Sequence, residues 1–93
     1  MARYVSLIRF TEQGARALKK SAARAANFRK AAEASGVTVD AQLWTAGCCD
    51  GVLVLSGDER KILRCLAQLV ALGNVRTETL QAFDPKEFKA IVR

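Results

Sequence analysis

The side chains best suited to chemistry are concentrated between Trp44 and Glu59, in the stretch WTAGCCDGVLVLSGDE. At its centre Cys48, Cys49 and Asp50 lie between Gly47 and Gly51. Adjacent cysteines make a poor redox pair. They bridge only through a strained ring with an unusual peptide geometry, whereas dithiol switches usually place two residues between their sulfurs. A zinc site asks for four nitrogen or sulfur ligands. The chain has three cysteines and no histidine, and Cys65 is remote in sequence, so neither a metal nor a cofactor is expected. Cys49 is left as a candidate thiol at a strand start, with packing as its simpler role. Asp50 occupies a turn, where aspartate commonly bonds backbone amides; the alternative is a carboxylate at the mouth of a sheet. Cys65 is expected to be a small buried apolar residue.

These groups need elements to position them. Tyr4 to Phe10 is β-branched and aromatic enough for a first strand. Thr11 then suits a helix N-cap, with Glu12 in the first turn. An alanine-, arginine- and lysine-rich helix follows from 12 to about 34, weakened at Gly14 and Ser21, with room for a short break near 19–22. Gly36 stops it. A second strand runs from Val37 to about Thr45. Simple alternation puts Val37, Val39, Ala41 and Leu43 on one face and Thr38, Asp40, Gln42 and Trp44 on the other. Val52 to Leu55 is apolar on both faces. Ser56 and Glu59 have the spacing of a capping box before a second helix, in which Ile62, Leu66, Leu69 and Gly73 share a face. After Gly73-Asn74 a last strand spans Val75 to about Phe83. Asp84-Pro85 then starts a short terminal helix, whose Phe88, Ile91 and Val92 require a surface to cover.

The order β-α-β-β-α-β plus a helix is the split-βαβ, ferredoxin-like pattern: an α+β fold with a four-stranded antiparallel sheet and helices on one face. Ninety-three residues allow a single domain, residues 1–93, that buries about 60–65% of its unfolded surface. No run of apolar residues is long enough to span a membrane, and the N-terminus lacks the features of a signal peptide. An odd number of cysteines suits a reducing compartment, so a soluble cytoplasmic protein is expected.

The sheet should have no wet face. A lone two-layer domain exposes one side of its sheet, and its strands alternate accordingly. Here Val52 to Leu55 does not alternate, and the first strand is apolar on both sides. Two such sheets meeting face to face would form a dimeric α+β barrel, so a homo-oligomer is expected. Among the polar groups on the strands, Gln42 and Trp44 lie together on the second strand and Arg76 and Glu78 on the fourth, and Arg9 joins whichever side the twist and bulges of the first strand permit. Enclosed charges need partners. Arg76 and Glu78 would pair across the interface, or would frame a polar pocket for a small anion or acid walled by Trp44. The candidate ligand-binding set is therefore Arg9, Gln42, Trp44, Cys49, Asp50, Arg76 and Glu78.

The formal net charge is +6, and much of it sits on the first helix, which has no acid between Gln13 and Ala32. Arg16, Lys20 and Arg24 form a stripe four residues apart, a weak candidate for phosphate contacts. Recognition of single-stranded RNA on such a sheet requires stacking aromatics on its two central strands. The third strand has none, so nucleic acid is not an expected partner and a solvated helix face is the default.

Three segments carry a resemblance: Tyr4-Val5-Ser6-Leu7-Ile8-Arg9-Phe10-Thr11-Glu12-Gln13-Gly14, Trp44-Thr45-x-Gly47, and Gly73-Asn74-Val75-Arg76-Thr77-Glu78-Thr79-Leu80. Together they resemble the GYD domain family, small bacterial proteins named after a Gly-Tyr-Asp motif. The resemblance implies a ferredoxin-like fold assembled into α+β barrel oligomers and no settled activity. It places Asp50 at the motif's aspartate and Cys49 where the family usually has tyrosine, so any role of that phenol is missing here. Two functions follow as expectations. The first is an oligomeric module that binds a small ligand or a partner. The alternative is a cofactor-independent monooxygenase- or isomerase-like enzyme, supported only by fold analogy and left with Asp50, Glu78 and Cys49 as its bases.

Overall fold

The computed structural model describes residues 1–93. Strand β1 (Ala2–Phe10) leads through a capped first turn, α1 (Glu12–Arg16), into a 3-10 turn (Leu18–Lys20) and helix α2 (Ser21–Ala34). Then come β2 (Thr38–Trp44), β3 (Gly51–Gly57), α3 (Glu59–Ala71), β4 (Val75–Gln81) and α4 (Pro85–Val92). The four strands form one antiparallel sheet in the order β2-β3-β1-β4, the arrangement expected of the ferredoxin-like pattern.

The starts and stops have local causes. Thr11 accepts the amide of Gly14, as a cap should, and donates its own hydroxyl to the carbonyl of Gly73 at 2.6 Å. The long basic helix is broken at Ala17. Arg24 occupies the break and donates to the carbonyls of Ala17 (2.9 Å), which also accepts the Lys20 amide of the 3-10 turn, and Gly14 (3.4 Å). Helix α3 is capped by Asp58, which accepts from the Lys61 amide, and not by the Ser56 box. Strand β3 extends through Gly57, so Ser56 belongs to the sheet. Asp84 and Glu87 form a reciprocal capping box on α4 with Pro85 in its first turn.

The core lies between the sheet and helices α2 and α3. Tyr4, Ile8, Val39, Leu53, Leu55 and Val75 meet Ile62, Cys65 and Leu66, with Ala32 and Val37 completing the cluster. Cys65 is buried, as its position on the helix anticipated. Its sulfur sits 3.5 Å from the hydroxyl of Ser35. The opposite face of the sheet carries Val5, Leu7, Val52, Val54 and Leu80, and no helix covers it; Leu80 is half exposed.

Strand β2 departs from simple alternation. Val39 pairs with Leu55, but Ala41 pairs with Val54, because Asp40 is an extra residue in a β-bulge. A one-residue slip exchanges faces. Val39, Gln42 and Trp44 therefore share the helix-side face, and Ala41 and Leu43 turn to the other. The grouping expected from alternation holds within each side of Asp40 and fails across it.

Helix α4 has no buried residue, and Phe88, Ile91 and Val92 are exposed. It is fixed at its start by an ion pair of 2.7 Å from Arg3 to Glu87. The Glu87 carboxyl is held below the usual carboxylate range, first by a backbone hydrogen bond at Asp84 and then by the bond from Arg3.

Candidate functional site

Most of the expected site residues fall into two places on opposite faces of the sheet. The larger is a half-open cleft of about 400 Å³ between α2, α3 and the end of the sheet where β1 and β2 finish and β3 and β4 begin. Its origin is legible in α2. Ser21, Ala25, Phe28 and Ala32 recur at the spacing of one helix face and point toward the sheet, and of these only Phe28 is large. Where leucines would fill the space over β2, methyl groups leave it open. Phe10 and Ile8 form the floor, Leu69 and Leu72 one side, and Trp44 stands at the mouth, about half exposed.

Most of the cleft's polar side chains are already engaged, and only Asn27 and Gln68 have no hydrogen-bond partner within the chain. Gln42 accepts from Arg29 Nε at 3.0 Å and donates to the carbonyl of Ala25 at 2.9 Å, tying β2 to α2. Trp44 Nε1 donates to Ser21 Oγ at 3.0 Å. Asp50 accepts the backbone amide of Phe10 at 2.9 Å while its own amide donates to the carbonyl of Ile8, so it locks the β2–β3 hairpin onto the end of β1. That is the expected role of an aspartate bonding amides, directed at a neighbouring strand and not at its own turn. Gly51 is closely packed here, since a Cβ would stand 3.0 Å from the carbonyl oxygen of Leu43.

The second place is a depression of about 130 Å³ on the uncovered face, bordered by Leu7, Arg9, Arg76, Thr77 and Glu78. Arg9 and Arg76 are direct cross-strand neighbours, a like-charge pairing that weakens a sheet unless an acid intervenes. Arg9 spends its Nε on the carbonyl of Cys48 at 3.0 Å. Arg76 and Glu78 form no ion pair with each other within the chain.

The remaining candidates lie elsewhere. Cys49 is buried in the hairpin, its sulfur 3.5 Å from Thr45 Oγ1, and does not line the cleft; Cys48 is exposed. The Arg16, Lys20 and Arg24 stripe is divided by the helix break. Arg16 pairs with Glu12, Lys20 ends the 3-10 turn, and Arg24 holds the carbonyls of the break. No group of three or more potential metal ligands comes together. Sequence reasoning passed over Ala25, Phe28, Phe10 and Leu69, since it sought polar groups. The detectable signal was a helix face with alanine where core residues belong.

Fold and sheet order define a ferredoxin-like α+β domain. Within that class the chain belongs to the GYD domain family, whose model matches residues 4–92. No curated protein gives a significant match. Two of the segments that carried the resemblance meet in space. The Thr11 amide donates to the Asn74 carbonyl, and Gln13 Nε2 donates to Leu72 O and Asn74 Oδ1. Gly14 packs so closely on Asn74 that a Cβ would collide with its carbonyl oxygen. This junction fastens α1 to the α3–β4 turn and closes the floor of the cleft.

Proposed function

We propose that the protein is a small-molecule-binding module that works as a homo-oligomer, with the ligand held in the helix–sheet cleft and the uncovered sheet face used for self-association. The observation that carries it is the cleft: about 400 Å³, largely apolar, and open to entry. That volume lies within the range of small-molecule sites. Its polar groups fix the walls in place, which suits a preformed site.

Self-association is supported by the chemistry of the other face. Val5, Leu7, Val52 and Val54 are apolar, and Arg9, Arg76 and Glu78 border them. A two-fold axis presents the same patch to itself, so the Glu78 of a second copy answers the two unpaired arginines. Binding is favoured over catalysis by dispersal of the candidate bases. Asp50 holds the hairpin, Glu78 is on the opposite face, and Cys49 is inside the loop. The three free thiols support a reducing setting, the cytoplasm.

Screening mixtures of charged and neutral fragments by 15N–1H NMR tests the cleft. Shifts confined to Ala25, Phe28, Phe10 and Trp44 are expected, and their absence with every mixture removes the ligand-binding function. Light scattering at micromolar concentration tests assembly against the monomer mass of 10.1 kDa. A mass above that is expected, returning to the monomer on Leu7→Glu. A monomeric wild type excludes the oligomer.

A further inference from the structure

Resting on the cleft as the ligand site, we propose that its ligand is a neutral, flat aromatic molecule of about two fused rings, and neither an acid, an amine nor an alkyl chain. Only two of the 22 lining residues are charged, Arg24 and Asp50, and their formal charges cancel. Each is occupied by the backbone, Arg24 by the carbonyls of Ala17 and Gly14 and Asp50 by the Phe10 amide. A carboxylate entering the cleft would lose hydration and gain as its only cation Arg24, two of whose five N–H donors already serve the helix break, with the neutral amides of Asn27 and Gln68 as the remaining donors. An ammonium would meet a carboxylate already committed to an amide. Moving an ion from water into such surroundings is unfavourable without a dedicated partner.

Shape supplies the second argument. Ala25 and Ala32 give α2 a shallow surface of methyl groups, while Phe10, Phe28 and Trp44 contribute three aromatic rings to the same space. Rings stack offset or edge-on to other rings, gaining about 0.5–1.5 kcal/mol per pair beyond area burial. A rigid ring system also has no rotamers to freeze on entry, whereas an alkyl chain does. The only hydroxyl at the mouth, Ser21 Oγ, already accepts the indole N–H and can donate outward. One hydrogen-bond acceptor on the ligand, such as a hydroxyl oxygen, is therefore accommodated at that end.

The test uses four probes of similar size on the full chain at pH 7: 2-naphthalenemethanol, 2-naphthoate, 2-naphthylmethylammonium and 1-decanol. Binding is followed by the 15N–1H shift of the indole of Trp44, which gives a single unambiguous peak because the chain has one tryptophan. The neutral ring is expected to bind at least tenfold more tightly than the other three. Ala25→Leu, which fills the cleft from the helix side, should reduce its affinity at least tenfold, with Ala25→Val as the milder variant should leucine impair folding. Equal or tighter binding of naphthoate, the ammonium or decanol at the same peaks overturns the ligand class while leaving the cleft as a binding site. Failure of all four to move cleft resonances overturns both. Binding of the neutral ring that neither alanine substitution weakens places it elsewhere and also overturns the proposal.

Discussion

The two helices that cover the sheet do so in opposite ways. Helix α3 presents Ile62, Cys65 and Leu66, all buried, and fills its half of the interlayer space. Helix α2 buries only Ala32 completely and leans on Phe28 for the rest. Stability is concentrated under α3 and vacancy under α2. The second helix is nevertheless held in place, and the means are polar: Arg29 to Gln42, Gln42 to Ala25, Trp44 to Ser21. Fixing a helix through hydrogen bonds at its edges spares its inner face from packing, so a small domain keeps both a core and a cavity.

The contrast can be broken most forcefully at Ile62, which is fully buried. Ile62→Ala should cost about 2–5 kcal/mol, a large share of the stability of a domain this size, and lower the urea midpoint accordingly. Gly14→Ala comes next. Its methyl group would drive α1 off Asn74, and overpacking of this kind costs about 1–3 kcal/mol. The same chemical denaturation series measures it. Ala25→Leu should act in the other direction, adding up to about 1 kcal/mol of stability through apolar burial in the cleft and raising the midpoint with it. A loss there would mean that the α2 half is as full as the α3 half, and the contrast would fail.

The smallest effect concerns the polar tie on the α3 side. Tyr4 donates its hydroxyl to Glu59 Oε1 at 2.8 Å. Its pKa is raised, first by that hydrogen bond and then by burial. Folding therefore favours the neutral phenol. The associated stability is complete below the unfolded pKa of about 10 and is lost as pH climbs through the raised folded value. Tyr4 is the only tyrosine, so ultraviolet difference absorbance during an alkaline titration follows it alone. Its midpoint should lie above the ordinary value in wild type and move down in Glu59→Gln.

Much of this architecture is legible in the sequence. The element order, the Thr11 and Asp84 caps, the burial of Cys65 and the uncovered apolar face all follow from periodicity and terminal residues. The break after α1 is also anticipated, though it falls at Ala17–Lys20 and not at 19–22. What escapes is nonlocal or negative. Ser56 and Asp58 are both competent caps, and only pairing of Ser56 with Arg3 and Thr38 in the sheet assigns the role to Asp58. The cleft is defined by side chains that are small, and a pattern of alanines reads equally as high helix propensity. Arg24 looks like a free surface cation until the helix break gives it carbonyls to bind. Grouping by alternation fails at Asp40 because an extra residue costs little in a strand at the edge of a sheet and leaves no compositional trace.

That extra residue makes strand β2 a matter of odd and even. With Asp40 counted out of the ladder, every position from Ala41 onward has reversed its parity relative to Val39. The chain therefore reaches the cleft with tryptophan and glutamine inward, where an unbulged strand of the same composition would deliver Ala41 and Leu43. A single-codon deletion at Asp40 would therefore remove the bulge and leave both linings as they are, because Val39 and Ala41 would then alternate as ladder neighbours. Taking Asp40 into a regular ladder would instead turn Leu43 toward the cavity and Trp44 toward the uncovered face. The place of one residue, in or out of the ladder, thus decides which face of the sheet carries the indole.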